Sequence, residues 1–321
     1  MYKKKIDFEV LIKSKRNYIV SLAVGKSFLN NWKKYILPSW VKYCKKHNLG
    51  LVIIKSELIH PNDANYKKSN WQKLLISRFI YDNLKYIKNV CYLDTDILIS
   101  QEAPNIFKYA NMRKINVVSL RKNLPFNYEE TISKIVILRK QFLNKKYPLN
   151  SAINLSLKKL YSFHNLKVQP DVFCSGVLVF EIKKYYKILE KIFNKYTRDI
   201  KSITNDGEQT HLNYELQSKK LVNYLSYKFQ AIWLFEMANR YPFLYSQKNF
   251  YDTLSARCIE SCLINNYFLH FPGSWIEGKM WKNLKIGNLL LRQNIDKKIK
   301  DHLKKNYSGK SLGMIKMKCV K

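Results

Sequence analysis

Apolar positions along this chain fall into short continuous blocks separated by longer stretches in which they recur every three or four residues. Residues 17–25 (NYIVSLAVG), 50–55 (GLVIIK), 90–93 (VCYL), 115–120 (INVVSL) and 171–182 (DVFCSGVLVFEI) form the blocks. They are rich in β-branched and aromatic side chains and do not alternate with polar residues, the pattern of strands covered on both faces. Between them, residues 70–88 gather Leu74, Leu75, Ile76, Phe79, Ile80 and Leu84 on one side of a helix. Residues 27–47, 183–196 and 206–217 also predict helices, the first broken at Pro38. Residues 221–231 predict a strand or hairpin, and residues 267–271 (YFLHF) a last short strand carrying His270. Strand and helix alternating at this spacing predict βαβ units and a mixed, mainly parallel central sheet flanked by helices, a Rossmann-like α/β fold. With no internal repeat or linker, residues 1–321 predict one domain. Residues 121–170 are polar and basic with weak helices over 132–143 and 152–164, an expected insertion over the active site, and residues 297–321 form a basic tail.

Composition narrows the classes. At 46% hydrophobic and 14% aromatic residues the chain can bury a substantial core, which excludes a disordered protein. The formal net charge is +35, from 58 Lys+Arg against 23 Asp+Glu. Such a surplus favours anionic partners: nucleotide phosphates, acidic glycans, nucleic acid or an anionic membrane face. The lysines are spread along the whole chain, and Asn, Ile and Tyr are also abundant, as an AT-rich coding bias produces, so no specific nucleic-acid partner is expected. Six cysteines are present, and Cys258 and Cys262, four apart, lack a second Cys/His pair for a thiolate metal site. Cys44, Cys91 and Cys174 sit in apolar or aromatic settings, and the cysteines predict a reducing compartment. No run of 18 apolar residues and no secretory segment is visible, so the expectation is a cytoplasmic protein, peripheral at an anionic membrane through residues 297–321.

The chemistry concentrates where the block at 90–93 runs into Asp94-Thr95-Asp96 before Ile97 resumes the apolar run. Buried carboxylates are costly without a partner, and a spacing of two in an extended chain points both to one side. A hard divalent cation held through oxygen, with substrate phosphates completing its shell, neutralises such a pair. A solvated turn at the strand end explains the same residues without a ligand. Val24 and Gly25 end the first strand at the corresponding edge, where open α/β sheets bind ligands, so Val24 is assigned to the same site. A strand ending in Asp-x-Asp also opens haloacid-dehalogenase-like phosphatases, with Asp94 as nucleophile. That alternative needs a second acidic pair, which no strand end supplies. A non-enzymatic basic nucleic-acid-binding protein is the third reading, and no recognisable module supports it.

Four motifs in order resemble glycosyltransferases of the GT-A fold, closest to the family 8 type. Tyr92-Leu93-Asp94-Thr95-Asp96 is similar to the family's YLDxD, about twenty residues after Trp71 to Lys73. Phe173-Cys174-Ser175-Gly176-Val177 is similar to FNSGV, with Cys174 in place of asparagine. Glu208-Gln209-Thr210-His211-Leu212-Asn213 is similar to DQDxLN, and His270-Phe271-Pro272-Gly273 to HFxG. The family's lysine three positions on is Ile276 here, and the nearest lysine is Lys279. The resemblance implies a GT-A fold and transfer of a hexose from a nucleotide sugar, UDP-linked, to a glycan or lipid-linked glycan with retention. It implies Mn²⁺ or Mg²⁺ held by Asp94, Asp96 and His270, and donor contacts from Val24, Lys73, Asp94, Ser175, Gly176, Gly273 and Lys279. Glu208 and Gln209 are the implied catalytic residues, supplying an oxygen to an oxocarbenium-like sugar. Plainer roles stand beside these. Asp206 and Gln209 fit a helix start, Ser175-Gly176 fits close backbone packing, and His270 fits a core histidine. Trp71, Trp233, Trp275 and Trp281 fit a core.

Overall fold

The computed structural model describes residues 6–143, 154–196, 207–273, 275–283 and 286. The expected basic tail and Asp206 lie outside the described residues. Among the described residues, seven strands form a mixed sheet in the order β1-β3-β2-β4-β7-β6-β8. They are β1 (Phe8–Ile12), β2 (Asn17–Leu22), β3 (Gly50–Ile54), β4 (Asn89–Leu93), β6 (Ile115–Ser119), β7 (Phe173–Glu181) and β8 (Val222–Tyr224). Parallel pairing joins β3, β2 and β4, and again β6 and β8, while β7 runs antiparallel to both its neighbours. A second sheet of β5 (Ile97–Ile99), β10 (Phe268–His270) and β9 (Ala231–Ile232) sits beyond the end of β4.

The continuous apolar blocks are strands buried on both faces, as their composition required. In β4, Val90 and Tyr92 face one core, while Cys91 and Leu93 face the other. One core packs the sheet against α1 (Lys26–Asn31), α2 (Leu37–His47), α5 (Tyr128–Leu138), α9 (Trp233–Arg240) and α10 (Thr253–Asn265). The other packs it against α3 (Ser69–Gln72), α4 (Ile76–Asn83), α7 (Ile182–Lys195) and α8 (Gln209–Ser218). The helix α6 (Leu157–Phe163) precedes β7. Among the described residues, no helix is long and apolar enough to cross a membrane. Cys44, Cys91, Cys174, Cys258 and Cys262 are free and buried.

Three local departures from the sequence reading matter. First, Pro38 does not break its helix. A π turn (Trp32–Ile36) joins α1 to α2, and Pro38 falls in the first turn of α2, where its missing N–H is not needed. Second, the helix expected over 70–88 tightens at Lys73–Leu75 into a 3₁₀ turn and ends at Asn83. That turn buries Lys73, which a regular surface helix would leave in water. Third, β1 pairs antiparallel with β3 although its flanking lysines hid it in the sequence.

Candidate active site

The two aspartates lie in the turn between β4 and β5, where the chain leaves the large sheet for the small one. They are therefore not on an extended strand, and the turn rather than strand geometry brings their carboxylates together. β10 pairs with β5 so that His270 stands opposite Ile97, and the Phe271 N–H donates to the Asp96 carbonyl at 3.1 Å. A residue 174 positions away is thereby registered against Asp96 by backbone hydrogen bonds alone.

The resulting cluster is compact. One ligand atom each from Asp94, Asp96 and His270 lie within 4.8 Å of one another. His270 Nε2 is 3.2 Å from Asp96 Oδ1 and 3.8 Å from Asp94 Oδ2. Asp96 Oδ1 is buried and makes no hydrogen bond despite that proximity. An unpartnered carboxylate oxygen aimed at an imidazole nitrogen is what a cation bound by mixed O and N donors requires. Burial pushes the His270 pKa down, but the Cys174 sulfur and the Asp96 carboxylate carry it well above the ordinary imidazole range.

Behind the cluster lies a second layer of charge. Lys73 is 7% exposed, and its Nζ is 3.0 Å from Asp94 Oδ1, 3.1 Å from Glu208 Oε1 and 3.4 Å from Ser175 Oγ. The Ser175 hydroxyl donates to Glu208 Oε1 at 2.5 Å, and the Tyr92 hydroxyl to Asp94 Oδ1 at 2.6 Å. Burial would depress the Lys73 ammonium, but Asp94 and Glu208 beside it hold it well above its usual range. Burial would likewise raise Asp94, and Lys73 and His270 outweigh it, so the carboxyl titrates below its usual value. Glu208 is thus committed to Lys73 and Ser175. Its neighbour Gln209 is only half-buried and accepts from the Ser175 N–H at 3.3 Å.

Gly176 sits where no other residue fits. A Cβ there would stand 2.5 Å from His270 Cε1 and 3.0 Å from Asp94 Oδ2. The motif containing it runs out of register with β6: Asn116 pairs with Val179 and Val118 with Cys174, so two steps on β6 oppose five on β7. The bulge leaves Ser175 and Gly176 without β6 partners, beside Asp94, whose N–H donates to the Gly176 carbonyl at 2.9 Å.

A cleft of about 200 Å³ opens beside the cluster, lined by Val24, Phe28, Asn70, Lys73, Asp94 and Asp96 among others. Gly25, at φ +93°, ends the strand side of the cleft in a conformation that favours glycine. The structure therefore gathers Val24, Lys73, Asp94, Asp96, Ser175, Gly176, Glu208, Gln209 and His270 around one place. Gly273 follows His270 closely, at φ +93°, with open space where a Cβ would stand. Lys279 is exposed on the turn Glu277–Lys282, and no described contact joins it to the cluster. Trp71, Trp233 and Trp281 are buried in the cores. Two residues of the site escaped the sequence reading. Phe28, 62% exposed at the cleft, belongs to a helix whose other apolar positions signalled only packing. Gln230, 1% exposed, is a buried amide against His270, and a polar residue inside an apolar run was its one signal.

The chain matches no protein-family model and no curated protein. Solved structures do align with it. A glycosyltransferase involved in glycosylation of the major capsid of PBCV-1 aligns over 84% of this chain and 99% of its own, at 11% identity and a TM-score of 0.48. The galactosyltransferase LgtC, with donor and acceptor sugar analogs, aligns over 84% and 95%, at 13% and 0.41. The glycosyltransferase GlyE of Streptococcus pneumoniae TIGR4 aligns over 87% of this chain and 63% of its own, at 12% and 0.42. The functional reading rests on the site itself.

Proposed function

We propose that this protein is a metal-dependent GT-A-type glycosyltransferase that takes a sugar from a nucleoside diphosphate donor. The observation that carries this reading is the convergence of Asp94, Asp96 and His270, from two sheets, at the mouth of the cleft that reaches the end of β2. Two carboxylates and an imidazole suit Mn²⁺ or Mg²⁺, and the unpartnered Asp96 oxygen fits either. Asp94, Asp96 and His270 would hold such a cation, which would supply Lewis-acid stabilisation of the leaving diphosphate.

The residues of the chain divide the remaining work. The cleft takes the nucleoside part of the donor, with the Phe28 ring as a face for the base. Transfer breaks the bond from the anomeric carbon to the diphosphate oxygen and forms one to an acceptor hydroxyl oxygen. The diphosphate leaves with the electron pair, and the hydroxyl proton passes to the departing diphosphate oxygen. Positive charge grows on the sugar, and Gln209, held at Ser175 but half-exposed, offers its amide there. Glu208 does not reach for substrate. It neutralises Lys73, which in turn holds Asp94 in place at the edge of the cleft that Lys73 lines. A UDP-linked hexose as donor, a glycan or lipid-linked glycan as acceptor, and retention of configuration follow the motif resemblance.

A screen of nucleotide sugars tests the reading. Slow release of nucleoside diphosphate in Mn²⁺, abolished by a chelator and in Asp96→Ala, is expected. Release of inorganic phosphate from simple phosphate esters, with no nucleotide-sugar turnover, would overturn it in favour of the phosphatase chemistry at Asp94.

A further inference from the structure

His270 presents one nitrogen to the carboxylates and the other to a buried amide. Gln230 ends the 3₁₀ turn Tyr227–Gln230 just before β9, and its side chain lies between β7 and the imidazole. One orientation of this amide satisfies all its neighbours. Its nitrogen donates to the Cys174 carbonyl at 3.3 Å, and its oxygen accepts from the Val177 N–H at 3.3 Å and from His270 Nδ1 at 3.1 Å. The reverse orientation sets acceptor against acceptor and donor against donor. The backbone of β7 therefore dictates which end of the amide meets the histidine.

That backbone is free to do so because of the bulge. Between the paired positions Val118–Cys174 and Asn116–Val179, β7 carries three more residues than β6, so Val177, paired with Leu93 of β4 on its other side, has no β6 partner for its N–H. Gln230 supplies the missing partner with one side chain. The same oxygen then requires a proton on Nδ1, which leaves Nε2 as the nitrogen that offers a lone pair toward Asp96, 3.2 Å away. A competitor stands close by: Cys174 Sγ is 3.6 Å from Nδ1. A thiol donating there would place the imidazole proton on Nε2 and close the ligating face.

We infer that Gln230 is a positioning residue that fixes the ligating tautomer of His270 and ties it to the β7 bulge at Ser175 and Gly176. This rests on the metal reading of the Asp94–Asp96–His270 cluster. Outer partners of ligating histidines are worth about 10–100-fold in metal affinity.

Mn²⁺ binding, read from the electron paramagnetic resonance of the free ion, tests it apart from turnover. Gln230→Leu is expected to weaken Mn²⁺ binding by about 10–100-fold. Adding Cys174→Ala to it is expected to restore part of the loss, because the competing thiol is gone. A loss that comes only from damaged packing would not be rescued. Nitrogen-15 spectra of the Mg²⁺-loaded wild-type protein give a reading that needs no variant: Nδ1 should carry the proton and Nε2 should not. Unchanged Mn²⁺ affinity in Gln230→Leu, no rescue by Cys174→Ala, or a proton on Nε2 in the Mg²⁺-loaded protein would each overturn the inference. Wild-type protein that binds no Mn²⁺ would bring down the metal reading itself, and this inference with it.

Discussion

Replacing Lys73 by methionine removes one charge and nearly no volume, and the structure says what that should cost. The ammonium is the shared partner of Asp94 and Glu208, at 3.0 and 3.1 Å, with its side chain 5% exposed and that of Glu208 3% exposed. Breaking a buried ion pair from one side typically costs about 3–5 kcal/mol, because the surviving charge is left without compensation. Asp94 is 27% exposed and keeps the Tyr92 hydroxyl, so water screens part of its loss. Glu208 keeps only Ser175 among the described partners. The expected loss for Lys73→Met is therefore about 3 kcal/mol, at the lower end of that range. Against a total stability of about 5–15 kcal/mol this is large.

Urea denaturation in a chelator measures it as a fall in midpoint at constant slope. The double variant Lys73→Met/Glu208→Gln supplies the internal control. Removing the carboxylate stranded by the first change should recover about 1–2 kcal/mol, a coupling within the range seen for contacting residues. Saturating Mn²⁺ should stabilise Lys73→Met as well as wild type, since a ligand at 100 times its Kd adds about 2.7 kcal/mol to whichever native state binds it. A Lys73→Met loss under about 1 kcal/mol, well short of the buried-pair range, would refute the charge-bridge account. So would a double variant no more stable than the single one.

The other expectations are these. Asp96→Asn should lower Mn²⁺-dependent donor turnover by at least about 100-fold, because metal charge stabilisation is worth several kcal/mol, while the melting temperature in chelator stays near wild type. Gln209→Ala should reduce kcat and leave nucleoside diphosphate affinity unchanged, the pattern of a contact made mainly in the transition state; equal kcat in the variant would remove Gln209 from the mechanism. Gly176→Ala should weaken Mn²⁺ binding, since its new methyl would stand 2.5 Å from the His270 ring; titration with the ion reads this directly. Burial, and then the nearby His164, lower the His211 pKa to about 4 from the ordinary 6.5. The unfolded chain takes up that proton first, so this contribution is complete above pH 6.5 and drains away as pH falls toward 4. Denaturation at pH 7 and 4.5 should show wild type losing up to about 3 kcal/mol more than His211→Phe.

The sequence made the sheet legible because its strands are covered on both sides and so must be continuously apolar. The helix over α7 was legible because one face of it is buried, at Tyr185, Leu189, Ile192 and Phe193. The candidate metal cluster of Asp94, Asp96 and His270 was legible through the motif resemblance, while local pattern showed only the residue types. That Asp94 and His270 meet depends on β10 pairing with β5 in one register, a fact of long-range backbone bonding that no local pattern encodes. Lys73 was matched by its place in a motif, and its burial comes from a 3₁₀ turn that periodicity over residues 70–88 smooths away. The even balance of parallel and antiparallel pairs follows from β7, whose central place between β4 and β6 is a topological outcome. Gln230 left the faintest trace, because a single buried amide is indistinguishable in sequence from a loop residue at a strand start.

The charge of the site also runs against the charge of the chain. A net +35 suggests a protein that would draw a diphosphate without help. The centre is the reverse: Asp94, Asp96 and Glu208 face one ammonium and one imidazole, and the ammonium is already committed to two of the three carboxylates. Two anions at short range repel in proportion to how little water lies between them. Lysines spread over the surface act through solvent and are screened within about 8–10 Å at ordinary ionic strength. They would raise the rate at which the proposed nucleotide sugar arrives, but they would not hold its diphosphate against Asp94 and Asp96. A divalent cation held by that pair would offset the repulsion. This is why the carboxylates, and not the basic surplus, carry the functional reading.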